Sequence, residues 1–513
     1  MIARTGQHDS TSHTDDSQWY RGGEAEEAQV EGTRGPQEEN TMAASEVYYM
    51  NARSESPQTS LVAKMLTVFE AAGIDQLIKP GDLVAIKIHC GEWNNTAYLR
   101  PVYPRALADR IKELGGRPFV CDTTTLTYQP YASRATELDL KMTAERNGFS
   151  SAVLGCPFIC ADGFIGTADY RVDIPTGYLL KEAYIAQAIA AADVLICLTH
   201  FKGHPMGVIG GAIKNLGIGC QSKRGKHNVH LGGHPKYSVA NAAIWHPENF
   251  KGKASMEDWK ILEDCCPYGL FQVDDNTIHW DRAKCTSCLG CIGVMAPRGL
   301  FEFPEENFAA TDASIADGAL GAVTAVGKDK CGFINLAIDI SPRCDCVNFS
   351  DMPIVPNLGV FASKDPVAID MACLDKVRES HGMPGSIADD FDLLDPGTRK
   401  FETVSATVHG LSEETQINTG TLNGLGNREY VLIETEPQSM KRHLFALDPR
   451  PTGERFREKF LKFTPFPYER HDGQGFLREQ EIDTEFVKAW HGNGGNGGVA
   501  GSTGAAEDAK AGD

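Results

Sequence analysis

Leu83-Val-Ala-Ile-Lys-Ile-His-Cys-Gly-Glu92 is the stretch from which the fold reads outward. Leu83 to Ile88 is a run of strand length, apolar but for Lys87, entered through the turn signal Pro80-Gly81-Asp82, and it reads as a buried strand. Upstream, Val47-Tyr-Tyr-Met50 is a first strand and Leu61 to Ala72 an amphipathic helix. Downstream the rhythm repeats: helix Ala106 to Leu114, strand Pro118 to Cys121, the run Ser151-Ala-Val-Leu154, helix Lys181 to Ala192 and strand Val194 to Leu198. Val355 to Ala372, with strand Val360 to Ala362, resumes it. Such alternation predicts an α/β domain with a largely parallel sheet and helices on both faces.

Open α/β sheets bind ligands beyond the carboxyl ends of their strands. The polar residues stand there: His89-Cys-Gly-Glu92, Asp122-Thr-Thr-Thr125 and Thr199-His-Phe-Lys-Gly-His204. His200 and His204 suit proton exchange near neutral pH, and Lys202 suits holding an anion. The alternative is that these groups satisfy loop carbonyls. Gly207 to Gly211, leading into Ala-Ile-Lys214-Asn215, resembles a glycine turn entering a helix, with backbone amides and Lys214 offered to a phosphate or carboxylate. Close backbone packing explains the glycines equally well. Lys223, Arg224, Lys226, His227 and His230 make the next loop basic, most simply as a solvated charge run. No phosphate-loop pattern of nucleotide hydrolases is present.

A second signal is Cys285-Thr-Ser-Cys288-Leu-Gly-Cys291, three thiols at the spacing of a bacterial ferredoxin motif. The place of the fourth cysteine holds Met295-Ala-Pro297. In two-cluster ferredoxins that cysteine serves the other motif's cluster, and Cys266-Pro267 stands upstream at the corresponding distance. Cys266-Pro-Tyr-Gly-Leu-Phe271 also echoes Ala296-Pro-Arg-Gly-Leu-Phe301. One 4Fe-4S cluster on Cys266, Cys285, Cys288 and Cys291 is therefore expected, in a ferredoxin-like α+β module inserted over 253–304. The positions of a second cluster carry Met256, Trp259, Leu262 and Met295, so apolar packing takes its place. A zinc knuckle is the competing reading. Cys344-Asp-Cys346 is a further candidate: in an extended segment both thiols project to one side. With Cys220 they would make a second metal site or a redox-active sulfur centre; inert buried cysteine is the alternative. Cys156, Cys160, Cys197, Cys331 and Cys373 read as core residues.

Composition narrows the partners. The 513 residues carry 69 acidic and 49 basic side chains, a net charge of −20, which argues against nucleic acid or an anionic membrane. Fifteen cysteines in so long a chain suit metal sites better than a disulfide framework. Thiolate ligands need a reducing compartment, and neither a spanning segment nor a signal peptide is evident, so a cytoplasmic protein is expected. Residues 1–44 are polar and acidic and 491–513 Gly-rich, both expected to be disordered. Residues 45–252 and 305–435 make the α/β domain, and 436–490, with the basic and aromatic run Arg455 to Arg470, a C-terminal extension.

Lys87-Ile-His89, Gly91-Glu92 with Arg100-Pro101, His200-Phe-Lys-Gly-His204, Gly210 through Cys220, Cys344-Asp-Cys346 and Asp365-Pro-Val-Ala-Ile-Asp370 together resemble the domain-of-unknown-function 362 family, described as uncharacterised iron-sulfur centre proteins. The resemblance runs from about residue 45 to Gly424-Leu-Gly-Asn-Arg-Glu-Tyr430 and implies 4Fe-4S binding without an agreed reaction. The expected function is an iron-sulfur oxidoreductase passing electrons from the cluster to a small anionic substrate or second centre. An electron donor or acceptor protein would be its partner. The alternatives are a non-catalytic electron-transfer protein and a sulfur-transfer or metal-centre assembly factor.

Overall fold

The computed structural model of the chain describes residues 44–126, 132–231, 244–255, 260, 262–263, 266–285, 288, 290–302, 304–406, 410–437, 457, 462 and 482–484. The acidic extension before residue 44, the Arg455 to Arg470 run, the tail from 491, Met256 and Trp259 lie outside the described residues, apart from Arg457 and Lys462 in the run. The chain divides into Met1–Leu444 and Phe445–Asp513, and the first unit is the subject below.

Eight strands make one sheet: β1 (Ser45–Asn51), β2 (Leu83–Lys87), β3 (Arg117–Asp122), β4 (Phe158–Cys160), β5 (Val194–His200), β6 (Cys331–Ala337), β7 (Gly359–Ser363) and β8 (Tyr430–Glu434). Their spatial order is β8-β1-β7-β6-β5-β2-β3-β4. β6, β5, β2, β3 and β4 pair in parallel. β7 runs against both of its neighbours, and β8 is parallel to β1. The sheet is thus mostly parallel, as the alternating pattern predicts.

Period-2 side-chain alternation splits the core between the two faces. Val84, Ile86, Val194, Ile196 and Ile334 meet Met65 and Phe69 of α1 (Leu61–Ala71), Leu107 and Ile111 of α2 (Val102–Glu113) and Leu140 of α3 (Glu137–Arg146). Ala85, Leu195, Cys197 and Phe333 face the opposite layer. That layer contains α4 (Ala212–Gly217), α5 (Lys223–Leu231), α6 (Glu305–Val326) and α7 (Pro366–Glu379), through Ile213, Val229, Ile315 and Ile369. Local chemistry sets the helix starts. The Ser60 hydroxyl accepts from Ala63 N–H, Thr136 and Asp139 form a capping box, and Asp365 accepts from Val367 and Ala368 N–H ahead of Pro366.

Two expectations are corrected. Ser151–Leu154 is a single helical turn rather than a strand, capped by the Ser150 hydroxyl and ended by left-handed Gly155. The Ala-rich run from Lys181 begins as strand Glu182–Ala186, paired antiparallel with Asp169–Asp173, and only Gln187–Ala190 is helical. Tertiary packing overrides helix propensity here: Ala183 lies so close to Gly321 of α6 that any side chain at Gly321 would strike it. Strand β6, in the middle of the sheet, was not recognised from sequence.

Between α5 and α6, Ile244–Trp245 pairs with Phe301–Glu302, and Phe271–Val273 with Ile278–Trp280. These short ladders enclose a separate small core in which Leu262 and Met295 are wholly buried with Phe271, Ile278, Leu300 and Phe301. Among the described residues no helix is long and apolar enough to cross a membrane.

Helix α6 is pinned by a buried carboxylate. Asp317 accepts from the N–H groups of Tyr178, Leu179 and Leu180 at 2.6, 2.7 and 2.9 Å and from Asn423 Nδ2 at 3.0 Å. Asp317→Ala strands these donors, and denaturant unfolding should show a loss of about 3 kcal/mol; a loss under about 1 kcal/mol would show that the pin is dispensable.

Candidate functional site

The carboxyl ends of β2, β3, β5 and β6 lie along one edge of the sheet because these strands are parallel. A cavity of about 490 Å³ opens there. Its wall includes His89 after β2, Asp122 to Thr125 at the end of β3, Thr199, His200, Lys202 and His204 at the end of β5, and Cys344 and Cys346 after β6. Ile292 and Ala296, just downstream of Cys291, close another side.

The chain after β6 turns at Cys344-Asp345-Cys346, where Val347 N–H donates to Cys344 C=O at 3.1 Å. The segment is therefore a turn, not the extended run expected, and the turn itself brings the two sulfurs within 4.8 Å of each other. Buried Asp345 holds it in place. Its carboxylate receives His200 Nδ1 at 2.9 Å, while His200 Nε2 faces the carbonyls of Ile338 at 2.8 Å and Asp339 at 3.2 Å. Lys202 Nζ lies 3.5 Å from the same carboxylate and donates to His200 C=O at 2.8 Å. Burial raises the Asp345 pKa, but His200 and Lys202 outweigh it and hold the group far below the usual carboxylate range. Burial also disfavours the Lys202 ammonium, which Asp345 and the two thiols more than restore. Gly203 donates its N–H to Ser341 C=O at 3.0 Å, and a Cβ there would fall 2.3 Å from the Pro342 carbonyl oxygen. The glycine of His-x-Lys-Gly-His is thus what lets this hairpin lie on the Cys344 turn.

His204 is the third member of the cluster. Its ring nitrogen and the sulfurs of Cys344 and Cys346 lie within 4.8 Å of one another, a group able to hold a metal ion. Nδ1 accepts from Met206 and Gly207 N–H at 3.1 and 2.9 Å, and Nε2 faces Cys346 Sγ at 3.7 Å. Burial, then Lys214 and Lys202, hold His204 neutral, well below its ordinary value. The hydrogen bond from Cys346 lowers the Cys344 thiol well below 9, with help from Lys214 and Lys202, while the same bond raises Cys346.

The rest of the wall sets Arg134, Lys214 and Lys226 among apolar side chains such as Ile218, Phe308 and Ile315, with Lys87 buried behind it. Lys214 lines the cavity with no hydrogen bond or ion pair among the described residues. Arg134 is held at its rim by Glu92, 3.2 Å from Nε. Lys87, wholly buried, bonds Asp122 at 3.0 Å and Asn215 at 2.9 Å. Burial lowers His89, with Arg134 adding to the effect. The basic run expected as a loop is helix α5, and Lys226 on it is buried, donating to Thr123 Oγ1 at 2.8 Å. Burial brings its pKa down to about 8.

Two candidate assignments change. The helix start at Gly211 does bind a carboxylate, but it is the chain's own: Asp370 accepts from Ala212 and Ile213 N–H at 2.7 and 2.8 Å. A Cβ on Gly211 would fall 2.3 Å from that oxygen. Cys220 hydrogen-bonds Cys197 beneath Lys87, so His204 rather than Cys220 accompanies Cys344 and Cys346. His89, Arg134 and Asp345 were not selected from sequence. The available signals were their neighbours: His89-Cys-Gly-Glu92 at a strand end, and an acid between two cysteines.

The four remaining thiols gather beside the small core. Cys266 and Cys291 pack against it, and Cys266 Sγ accepts from Leu270 N–H at 3.4 Å. Burial raises the Cys288 thiol, and the nearness of Cys285 and Cys266 raises it further. Cys288 is also close enough to Lys223 of α5 to favour that lysine's charge.

A buried lysine near 8 makes the cavity's charge depend on pH. Lys226 is cationic below about 8 and neutral above it, so sulfate, whose own charge is constant, should bind the full chain about tenfold more weakly at pH 9 than at pH 7 by calorimetry. Lys226→Met should flatten this dependence. Unchanged sulfate affinity across pH 7 to 9 would show that Lys226 does not act on the cavity.

A search among curated proteins finds no match. Among solved structures, the lactate racemase apoprotein from Thermoanaerobacterium thermosaccharolyticum is similar at 12% identity with a TM-score of 0.31, over 66% of this chain and 59% of that one. The family model described as "Domain of unknown function (DUF362)" matches residues 84–375, which spans β2 through most of α7 and so includes the cavity, both cysteine groups and Asp370. The chain belongs to the domain-of-unknown-function 362 family.

Proposed function

We propose that this protein is an iron-sulfur oxidoreductase whose cavity takes a small anion. Cys266, Cys285, Cys288 and Cys291 would hold one 4Fe-4S cluster in a ferredoxin-like insert. The donor set fits: four half-buried cysteines, Cys266 and Cys291 of them packed against an apolar core, with Cys285 and Cys266 close enough to Cys288 to shift its pKa. When bound, such a cluster supplies single electrons. An electron donor or acceptor protein is the implied partner.

The observation that carries the reading is the shared cavity wall. Ile292 and Ala296 come from the turn that follows Cys291, while His204, Cys344, Cys346 and Lys214 come from the α/β domain. A route from the four-cysteine region to a cationic pocket is what electron delivery to an anion requires. In the pocket, Lys214 and Arg134 bind the anion by charge. Neutral His89 accepts Gly91 N–H on Nδ1 at 3.0 Å, leaving an Nε2–H as a neutral donor. His200 and Asp345 position the cysteine turn and take no part in binding, since both ring nitrogens of His200 are engaged.

Anaerobically purified protein should contain about four iron atoms and four acid-labile sulfides per chain, and Cys285→Ser should lose most of both. Zinc with no sulfide would overturn the assignment. Lys214→Met should leave iron and sulfide unchanged while weakening oxalate binding about tenfold; a pure electron carrier would show no oxalate binding to lose.

A further inference from the structure

We propose that Cys344 and Cys346 form a thiol/disulfide couple that opens on the cavity and exchanges with small anionic disulfides, with His204, Lys202 and Lys214 as positioning residues. The couple stands on the cavity alone and does not require the four-cysteine reading.

Three observations carry it. First, the turn closed by Val347 N–H places the two sulfurs within 4.8 Å of each other before any bond forms, and half-buried Cys346 and buried Cys344 both line the cavity.

Second, His204 is oriented as a donor to sulfur. With Nδ1 accepting two backbone N–H groups, the ring proton sits on Nε2, which faces Cys346 at 3.7 Å. A histidine that ligates a metal through one nitrogen almost always donates from the other, to a carboxylate, carbonyl or water. Here the other nitrogen meets only donors. The cluster therefore has the hydrogen bonding of a stabilised thiolate and lacks that of a metal ligand.

Third, the pair is ringed by positive charge. Lys202 lies behind it, bonded to His200 C=O, and Lys214, with no partner among the described residues, faces the same cavity. These charges favour a thiolate and also attract a carboxylate-bearing disulfide.

The exchange balances as follows. The reduced pair shares one proton, as a thiolate and a thiol. The shared proton, held mainly by Cys346 at rest, passes to Cys344 across the sulfur contact, and Cys346, the more exposed sulfur, attacks the substrate RS–SR as the thiolate. The S–S bond of RS–SR breaks, RS⁻ leaves, and a Cys346–S–S–R mixed disulfide forms. Cys344 then gives up its proton to one RS⁻ and attacks Cys346, expelling the second RS⁻ and closing the Cys344–Cys346 bond. The pair loses two electrons, and RS–SR gains two to become RSH and RS⁻.

The test uses the full chain, equilibrated anaerobically in glutathione redox buffers, quenched in acid, alkylated with iodoacetamide and digested with trypsin. The peptide from Cys344 to Lys364 contains both cysteines and no other. On oxidation it should lose two hydrogens and both alkylation sites, and dithiothreitol should restore them. Cys344→Ser should instead accumulate a glutathione adduct on Cys346, because the resolving sulfur is gone. His204→Leu should shift the equilibrium with glutathione about tenfold toward the disulfide, about 30 mV more negative, and His204→Gln, whose amide also donates N–H, should return most of that shift. Two free thiols in the peptide at every buffer ratio would overturn the proposal. So would a zinc equivalent retained by wild type, lost in Cys344→Ser and protecting both thiols from alkylation. Neither result depends on the iron content, so this proposal and the cluster assignment fail separately.

Discussion

One buried negative charge orders the cavity. Asp345 sits fully enclosed between His200 and Lys202, and an enclosed carboxylate is tolerated only when charge and hydrogen bonds replace its water. Satisfying it fixes three separate pieces at once: the end of β5 that carries His200, the hairpin that carries Lys202 and His204, and the turn that carries Cys344 and Cys346. The first two pieces are contiguous, and the third lies more than a hundred residues further along the chain. Their convergence follows from β5 and β6 being adjacent and parallel, with Leu336 opposite His200 in register.

The same pattern repeats around the rim. Lys87 with Asp122 and Arg134 with Glu92 are buried ion pairs at the ends of neighbouring strands. Breaking such pairs is costly, and replacing them with apolar residues is often harmless to stability. Their concentration at one edge of the sheet is therefore better explained by use than by folding. Perturbed ionisation clustered in a cleft is the physical mark of a functional site. Lys214 stands apart from these pairs, because it brings charge to the cavity with no partner among the described residues.

The segment between α5 and α6 has its own logic. Leu262 and Met295, expected from the sequence to replace ligands of a second cluster, are both buried in one small apolar core. That core is separate from the two that cover the sheet, so the segment folds around its own contents. It still reaches the cavity through Ile292 and Ala296.

The chain's sequence by itself determined the layered α/β class, the strand ends that bear polar residues, and the grouping of cysteines, because period, turn chemistry and ligand spacing are local properties. It named His200 and His204 for proton exchange, Lys202 for holding an anion, and Cys344 and Cys346 for a metal or sulfur centre, whereas in the structure His200 and Lys202 hold the Asp345 carboxylate. Strand β6 escaped notice because Cys331–Ala337 follows a helix without a strong turn signal, and Glu182–Ala186 was misread because alanine favours helix until Gly321 admits a strand beside it. Only tertiary structure decided that Asp370 already fills the Gly211 helix start, that Cys220 pairs with Cys197, and that His204 turns Nε2 toward Cys346. Each of these depends on which residues distant in sequence meet across the sheet, and on which nitrogen or oxygen is left facing the cavity once backbone groups have taken the rest. No local pattern encodes that.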